Sequence, residues 1–158
     1  MRQFNTNFYR TCCIVLLGFL LSSCRKISAD HHTENLLKDQ VSKNIGGTLE
    51  FGKITNFKWN RMLILRPYTN ISWVEKDLAI NLEAIEHSGI NHRDDINQIV
   101  FFDGDRAVSN IEFPRIDGDF KRILKPVFYT KEEAVFSIVA NSGHSANKRL
   151  LLLLKKER

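Results

Sequence analysis

Small groupings of histidine, carboxylate and serine side chains are the first places where this sequence could do chemistry. His31 and His32 are adjacent and offer two imidazoles to a metal, but adjacent histidines in a polar leader are ordinarily solvated. His87, His92, Asp94 and Asp95 crowd around one predicted loop. A small hydrolase or metal-dependent enzyme would need them to converge in a concave pocket with perturbed pKa values. Their spacing fits no ligand pair on a helical face and reads as solvated residues near a helix end. Asp103-Gly104-Asp105 and Asp117-Gly118-Asp119 offer paired carboxylates. Neither has the regular oxygen ligands and closing glutamate of an EF-hand calcium loop, so turn chemistry explains both. Ser142-Gly143-His144-Ser145 sets a nucleophile beside a base at a predicted hairpin tip, with little to orient them. Nucleophile elbows, zincin helices, P-loops and dinucleotide fingerprints are missing. No catalytic residue, cofactor or metal site is expected.

Cys24 carries the most definite chemistry. Residues 1–23 contain Arg2 and Arg10 but no acid, and 12–21 form an uninterrupted apolar run. A bilayer span takes about 20 apolar residues, so half that length suits the hydrophobic region of a secretory signal peptide. The run closes on Leu21-Ser22-Ser23-Cys24. This tetrapeptide resembles the lipobox of bacterial lipoproteins. The resemblance implies a thioether-linked diacylglyceryl group on Cys24 and cleavage after Ser23, with Cys24 as the new N-terminus. Arg25 stands where many enterobacterial lipoproteins carry the aspartate that retains them at the inner membrane. In a Gram-negative host this implies the outer membrane, facing the periplasm.

The expected organisation is therefore a removed signal peptide (1–23), a lipidated cysteine and polar tether (24–33), and one domain (34–158). Composition changes with processing. The whole chain of 158 residues has 23 Lys+Arg against 18 Asp+Glu, and losing Arg2 and Arg10 leaves a net charge near +3 in place of +5. That balance removes the support for nucleic-acid binding. Cys12 and Cys13 leave with the signal, so residues 25–158 hold no thiol for a disulfide, zinc site or nucleophile.

A second grouping is aromatic and cationic: Phe57-Lys58-Trp59-Asn60-Arg61, the apolar run Met62–Leu65, then Arg66-Pro67-Tyr68-Thr69. It resembles small bacterial lipoproteins that carry Phe-x-Trp-Asp/Asn-Lys/Arg, a hydrophobic strand, Pro-Tyr-Thr/Ser and a short helix. The resemblance covers roughly 48–140 and implies fold and location without an activity. Trp59 and Tyr68 at the ends of one strand suit lids on the core. With Arg61 and Arg66 they are also the candidate partner-binding residues, because Trp, Tyr and Arg dominate binding hot spots.

Periodicity places these residues on elements. Thr33 is positioned to cap a helix to about Lys43, with Leu37 and Val41 on one face. Thr48–Ile54 reads as a strand with Leu49 and Phe51 inward. Residues 61–66 read as a strand covered on both faces, ended by Pro67. Ser72-Trp73-Val74-Glu75 is a capping-box pattern opening a helix over 73–87, with Val74, Leu78, Leu82 and Ile85 as its apolar stripe and Gly89 as its stop. Asn97–Phe102 and Arg106–Phe113 form a hairpin. A three-residue loop sets Ile99, Phe101, Ala107, Ile111 and Phe113 on one face. Thr130-Lys131-Glu132-Glu133 predicts one capped turn. Ala134–Ala140 and Lys148–Leu154 predict a last hairpin with its tip at 141–147.

The fold expected is α+β: about six strands in a mainly antiparallel sheet, with the 73–87 helix packed on it and a short N-terminal helix. The function expected is that of a membrane-anchored envelope protein, non-enzymatic, binding a protein partner as an accessory or immunity-type inhibitor. A small envelope hydrolase is the alternative from a different class. A lipid or small-ligand module is another, and it needs a cavity of ~300 Å³ or more lined by phenylalanines.

Overall fold

The strand Arg61–Leu65 explains the architecture, because its side chains alternate between two separate cores. A computed structural model describes residues 27–120, 122–140 and 150–155. The expected signal peptide, lipobox, Cys24 and the 141–147 tip with Ser142 and His144 lie outside them. Met62 and Ile64 point into one apolar cluster, and Leu63 and Leu65 into another. A strand can be buried on both faces only when layers cover both sides of its sheet.

The elements in order are α1 (His31–Lys43), β1 (Thr48–Glu50), α2 (Phe51–Ile54), β2 (Arg61–Leu65), α3 (Ile71–Leu78), a 3-10 turn (Glu83–Ser88), β3 (Ile96–Asp103), β4 (Arg106–Pro114), β5 (Phe128–Thr130), β6 (Val135–Ala140) and β7 (Leu150–Leu154). The fold is α+β. Among the described residues, seven strands form two antiparallel sheets, ordered β4-β3-β2-β5 and β1-β6-β7. The larger cluster joins one face of the four-stranded sheet to Phe136, Ile138 and Leu152 of the other sheet and to Leu37 and Val41 of α1. The smaller cluster packs Ile71, Val74, Leu82 and Ile85 on the opposite face. Phe120 bridges the larger core, edge-on to Phe136 at 5.1 Å and to Phe113 at 6.3 Å between ring centroids.

Helix α1 begins three residues earlier than the Thr33 cap implies. Asp30 is the cap, accepting from the Thr33 amide at 2.9 Å and the Thr33 hydroxyl at 2.6 Å, and also from the Ser109 hydroxyl at 3.3 Å. The expected 24–33 tether is thus fixed to the domain from Ile27 onward. Burial alone would raise the Asp30 carboxyl, but the hydrogen bonds from Thr33 and Ser109 outweigh it and hold the group below its ordinary value. A carboxyl depressed on folding stabilises the native state above its unfolded pKa near 3.8 and loses that contribution as pH falls through the folded value. Asp30→Ala should cost about 1–2 kcal/mol in denaturant unfolding near neutral pH. The penalty should shrink in acid.

The predicted 73–87 helix is two pieces. Asn70, not Ser72, caps α3 by accepting from the Trp73 amide at 2.9 Å. The Glu75 carboxylate accepts from the Leu82 amide at 2.6 Å instead of closing a capping box. Between the pieces Ala79 takes a left-handed conformation, φ 51°, and the chain reverses so that Leu82 and Ile85 still reach the core. Glycine suits that position better. Ala79→Gly should raise stability by about 0.5–1 kcal/mol, read as a higher denaturation midpoint.

Thr48–Ile54 is a strand only to Glu50. Phe51 is inward as expected, but from the helical turn α2. The β3–β4 loop has two residues, Gly104 and Asp105, because Asp103 pairs with Arg106. The extra residue that parity demands sits in the strand: Val108 bulges between the pairs Phe101–Ser109 and Phe102–Ala107. This carries Ile111 and Phe113 to the face of Ile99 and Phe101 and leaves Ala107 on the other. At Thr130 the capping box forms as expected, with the Thr130 amide donating to Glu133 at 3.0 Å and the Glu133 amide donating to Thr130 Oγ1 at 3.3 Å. Gly118 lies where a Cβ would come 3.0 Å from the Phe113 ring and 3.1 Å from Leu152, so the two sheets close over it.

Candidate functional site

Several of the carboxylates that suggested chemistry are committed to ion pairs within the fold. His87, His92, Asp94 and Asp95 are all exposed and do not converge. Asp95 is engaged by Arg93 through two bonds of 2.9 and 2.7 Å, and the same guanidinium reaches Glu112 at 2.7 Å. The hydrogen bond from Arg93 holds the Asp95 carboxyl below its ordinary value. A general base near neutral pH needs the opposite shift. Asp103 pairs with Lys58 at 3.1 Å, Asp105 with Arg61 at 2.7 Å, and Asp119 with Arg115 at 2.7 Å. Among the described residues, no group of three or more His, Cys, Asp or Glu stands close enough to share a metal.

The aromatic-cationic motif divides into two ends with different jobs. At the start of β2, Lys58 and Arg61 grip the β3–β4 turn. Asn60 Oδ1 accepts from the Gly104 amide at 3.2 Å, and Arg61 Nε donates to the Gly104 carbonyl at 3.0 Å. Only an acceptor is needed at position 60, and the Asn60 side-chain carbonyl supplies it. The Arg61 guanidinium lies 4.1 Å above the Phe128 ring. Trp59 is 2% exposed and donates its indole N–H to Thr55 Oγ1 at 2.7 Å. Trp59 and Arg61 are therefore not free to anchor a partner. Burial in the core withholds one, and the turn and the Phe128 ring occupy the other.

Arg66 and Tyr68, after β2, face differently. Tyr68 does not lid the core. It is 64% exposed, with φ 61°. The Arg66 carbonyl accepts from the Thr69 amide at 3.2 Å, closing a turn whose third residue is Tyr68. A type II turn takes glycine there, so a tyrosine is strained by about 1–2 kcal/mol. Arg66 Nη1 donates to the Ile123 carbonyl at 3.1 Å and draws the 122–126 segment alongside. Between them runs a groove of about 220 Å³ lined by Ile64, Arg66, Tyr68, Leu124 and Lys125 among others. A second groove of about 680 Å³ shares Ile123, Leu124 and Lys125 with the first and continues past Val127, Val139 and Leu153 to Lys155. Leu124, common to both, is 90% exposed. Among the described residues, Arg66, Arg122, Lys125 and Lys155 are the charged residues of the two linings, and no carboxylate joins them.

Comparison with protein-family models, curated proteins and solved structures finds no match. Geometry carries the site alone.

Among the described residues no phenylalanine lines either groove, because Phe51, Phe101, Phe102, Phe113, Phe120 and Phe136 fill the cores themselves. Sequence reasoning singled out Arg66 and Tyr68 but passed over Arg122, Leu124 and Lys125. Their signal was a pair of aliphatics set among cations in an irregular stretch, where no period calls for apolar residues. Among the described residues no helix is long and apolar enough to cross a membrane.

Proposed function

We propose that this chain is a lipid-anchored protein of the bacterial cell envelope that acts by docking an acidic protein partner on the grooves beside Leu124. The observation that carries the docking half is Leu124 itself, a leucine 90% exposed that lines two grooves whose charged residues, among the described residues, are all cations. Exposed apolar surface rimmed by charge marks interaction sites. Cationic linings select a partner that brings carboxylates and repel one that brings lysines. The strain at Tyr68, a residue of the first groove's lining, supports the same reading, because strained residues cluster at ligand clamps and switch regions. Lipidation at Cys24 is supported by the apolar run, the missing acids and the tetrapeptide before it.

A photo-crosslinking residue at position 124, in intact envelopes, tests the docking half. One discrete protein adduct is expected, lost when Arg122→Glu and Lys125→Glu reverse the rim charge. Absence of an adduct, or an adduct indifferent to that reversal, contradicts it. Tyr68→Gly should leave the fold as stable or up to about 1 kcal/mol more stable, since relief of strain outweighs the entropy cost of glycine. The same change should weaken the adduct.

A further inference from the structure

We infer that the lipid on Cys24 holds the β4 edge of this domain against the membrane surface and turns the Leu124 grooves away from it. The inference rests on the anchoring reading above and adds an orientation to it. Between Cys24 and Ile27 stand only Arg25 and Lys26. From Ile27 the chain is pinned. Asn110 donates its side-chain amide to the Ile27 carbonyl at 2.9 Å and the Ser28 carbonyl at 3.3 Å, and the Asp30 amide donates to the Asn110 carbonyl at 2.8 Å. Asn110 is 1% exposed, and Gln98 fixes its amide by donating to Oδ1 at 2.9 Å. The donors of Asn110 are therefore set to receive the leader.

Reach follows from covalent geometry. Three residue steps span at most about 11 Å fully extended. A domain of this size is roughly 35 Å across, so the leash covers less than a third of it. The lipid cannot serve every face. Ala29 bridges Asn110 in parallel, so the chain runs back from Ala29 to Ile27 along β4 towards Val108 and the Gly104-Asp105 turn. Arg106, at the start of β4, lies about 7 Å beyond Val108. The turn is thus within reach of the anchor.

The grooves are not. In the order β4-β3-β2-β5, the leader lies outside β4, and Leu124 belongs to the segment that leads into β5 at the other edge. Four strand spacings of ~4.8 Å separate the two columns by about 19 Å. Leu124 also lies by Arg66, at the end of β2 opposite the turn, because Arg61 is the residue paired with Phe102. Arg25 and Lys26 suit the anionic headgroups between which the leash must sit. The grooves then face the aqueous compartment, where a soluble partner arrives.

Full-length lipoprotein purified from membranes and placed in phosphatidylethanolamine–phosphatidylglycerol vesicles tests this. Once Cys24 is in a thioether and 1–23 are removed, the chain has no free thiol. Asp105→Cys and Leu124→Cys therefore each accept a single fluorophore. A lipid carrying a headgroup quencher should quench the label at 105 several-fold more than the label at 124. About twenty Gly/Ser residues inserted between Lys26 and Ile27 give a leash of roughly 25 Å root-mean-square length and should remove the difference. Equal quenching in fatty-acylated chains, stronger quenching at 124, or a difference that survives the insertion overturns the orientation and leaves the anchor standing. A chain with no fatty acid on Cys24 overturns the anchoring reading and this inference together.

Discussion

Trp59→Ala is expected to lower the stability of the domain by about 3–5 kcal/mol, against a total of roughly 5–15 kcal/mol for a domain of this kind. The indole is 2% exposed, meets Phe101 edge-on at 5.2 Å and lies 5.3 Å beneath the Lys131 ammonium. Its removal leaves a cavity between the sheets and strips Thr55 Oγ1 of its donor. Trp59→Phe keeps most of the packing and should cost about 1–2 kcal/mol. Leu124→Ala, by contrast, should move the denaturation midpoint by the equivalent of less than about 0.5 kcal/mol, because that side chain is already in water. Chemical denaturation of the three variants decides the matter. If Trp59→Ala keeps full stability and loses the partner, the tryptophan belongs to the interface and the division of the motif into two ends is wrong.

Cys24→Ser should abolish incorporation of labelled fatty acid and leave an uncleaved precursor. The effect is all or none because the thiol is the only nucleophile at that position able to take the lipid as a thioether. Anchoring follows the same rule. Each buried CH₂ contributes ~0.8 kcal/mol, so two acyl chains on Cys24 would hold the protein stably where Arg25 and Lys26 alone would not. Normal labelling of the variant would remove the lipobox from consideration. A variant that loses the label and keeps its membrane association would show that another surface of the domain binds lipid.

Elements set by local pattern were legible in the sequence, and elements set by distant contacts were not. The continuous apolar run at 61–66 correctly meant a strand covered twice, as Met62 and Leu63 in separate cores show. The Thr130–Glu133 capping box was legible for the same reason, since its partners are three residues apart. Helix starts were misplaced where a second capping residue stood nearby: Asp30 lies three residues before Thr33, and Asn70 two before Ser72. The break at Ala79 was hidden because the stripe Val74, Leu78, Leu82, Ile85 keeps its order of burial through the reversal. Parity in the β3–β4 hairpin required one extra residue. Sequence alone could not say that it belonged at Val108 and not in the loop.

The division of strands into two sheets depends on pairings such as Leu49 with Phe136, which no local period encodes. The candidate site divides the same way. Arg66 and Tyr68 stood out by residue type, whereas Leu124 and Lys125 join them only because Arg66 reaches the Ile123 carbonyl across 57 positions of chain.

The most direct measurement is the intact mass of the chain extracted from membranes, with fragmentation of its N-terminal peptide. Lipid anchoring predicts a chain that begins at Cys24 and carries a diacylglyceryl group on that residue's sulfur. A chain that begins elsewhere, or an unmodified Cys24, would contradict it.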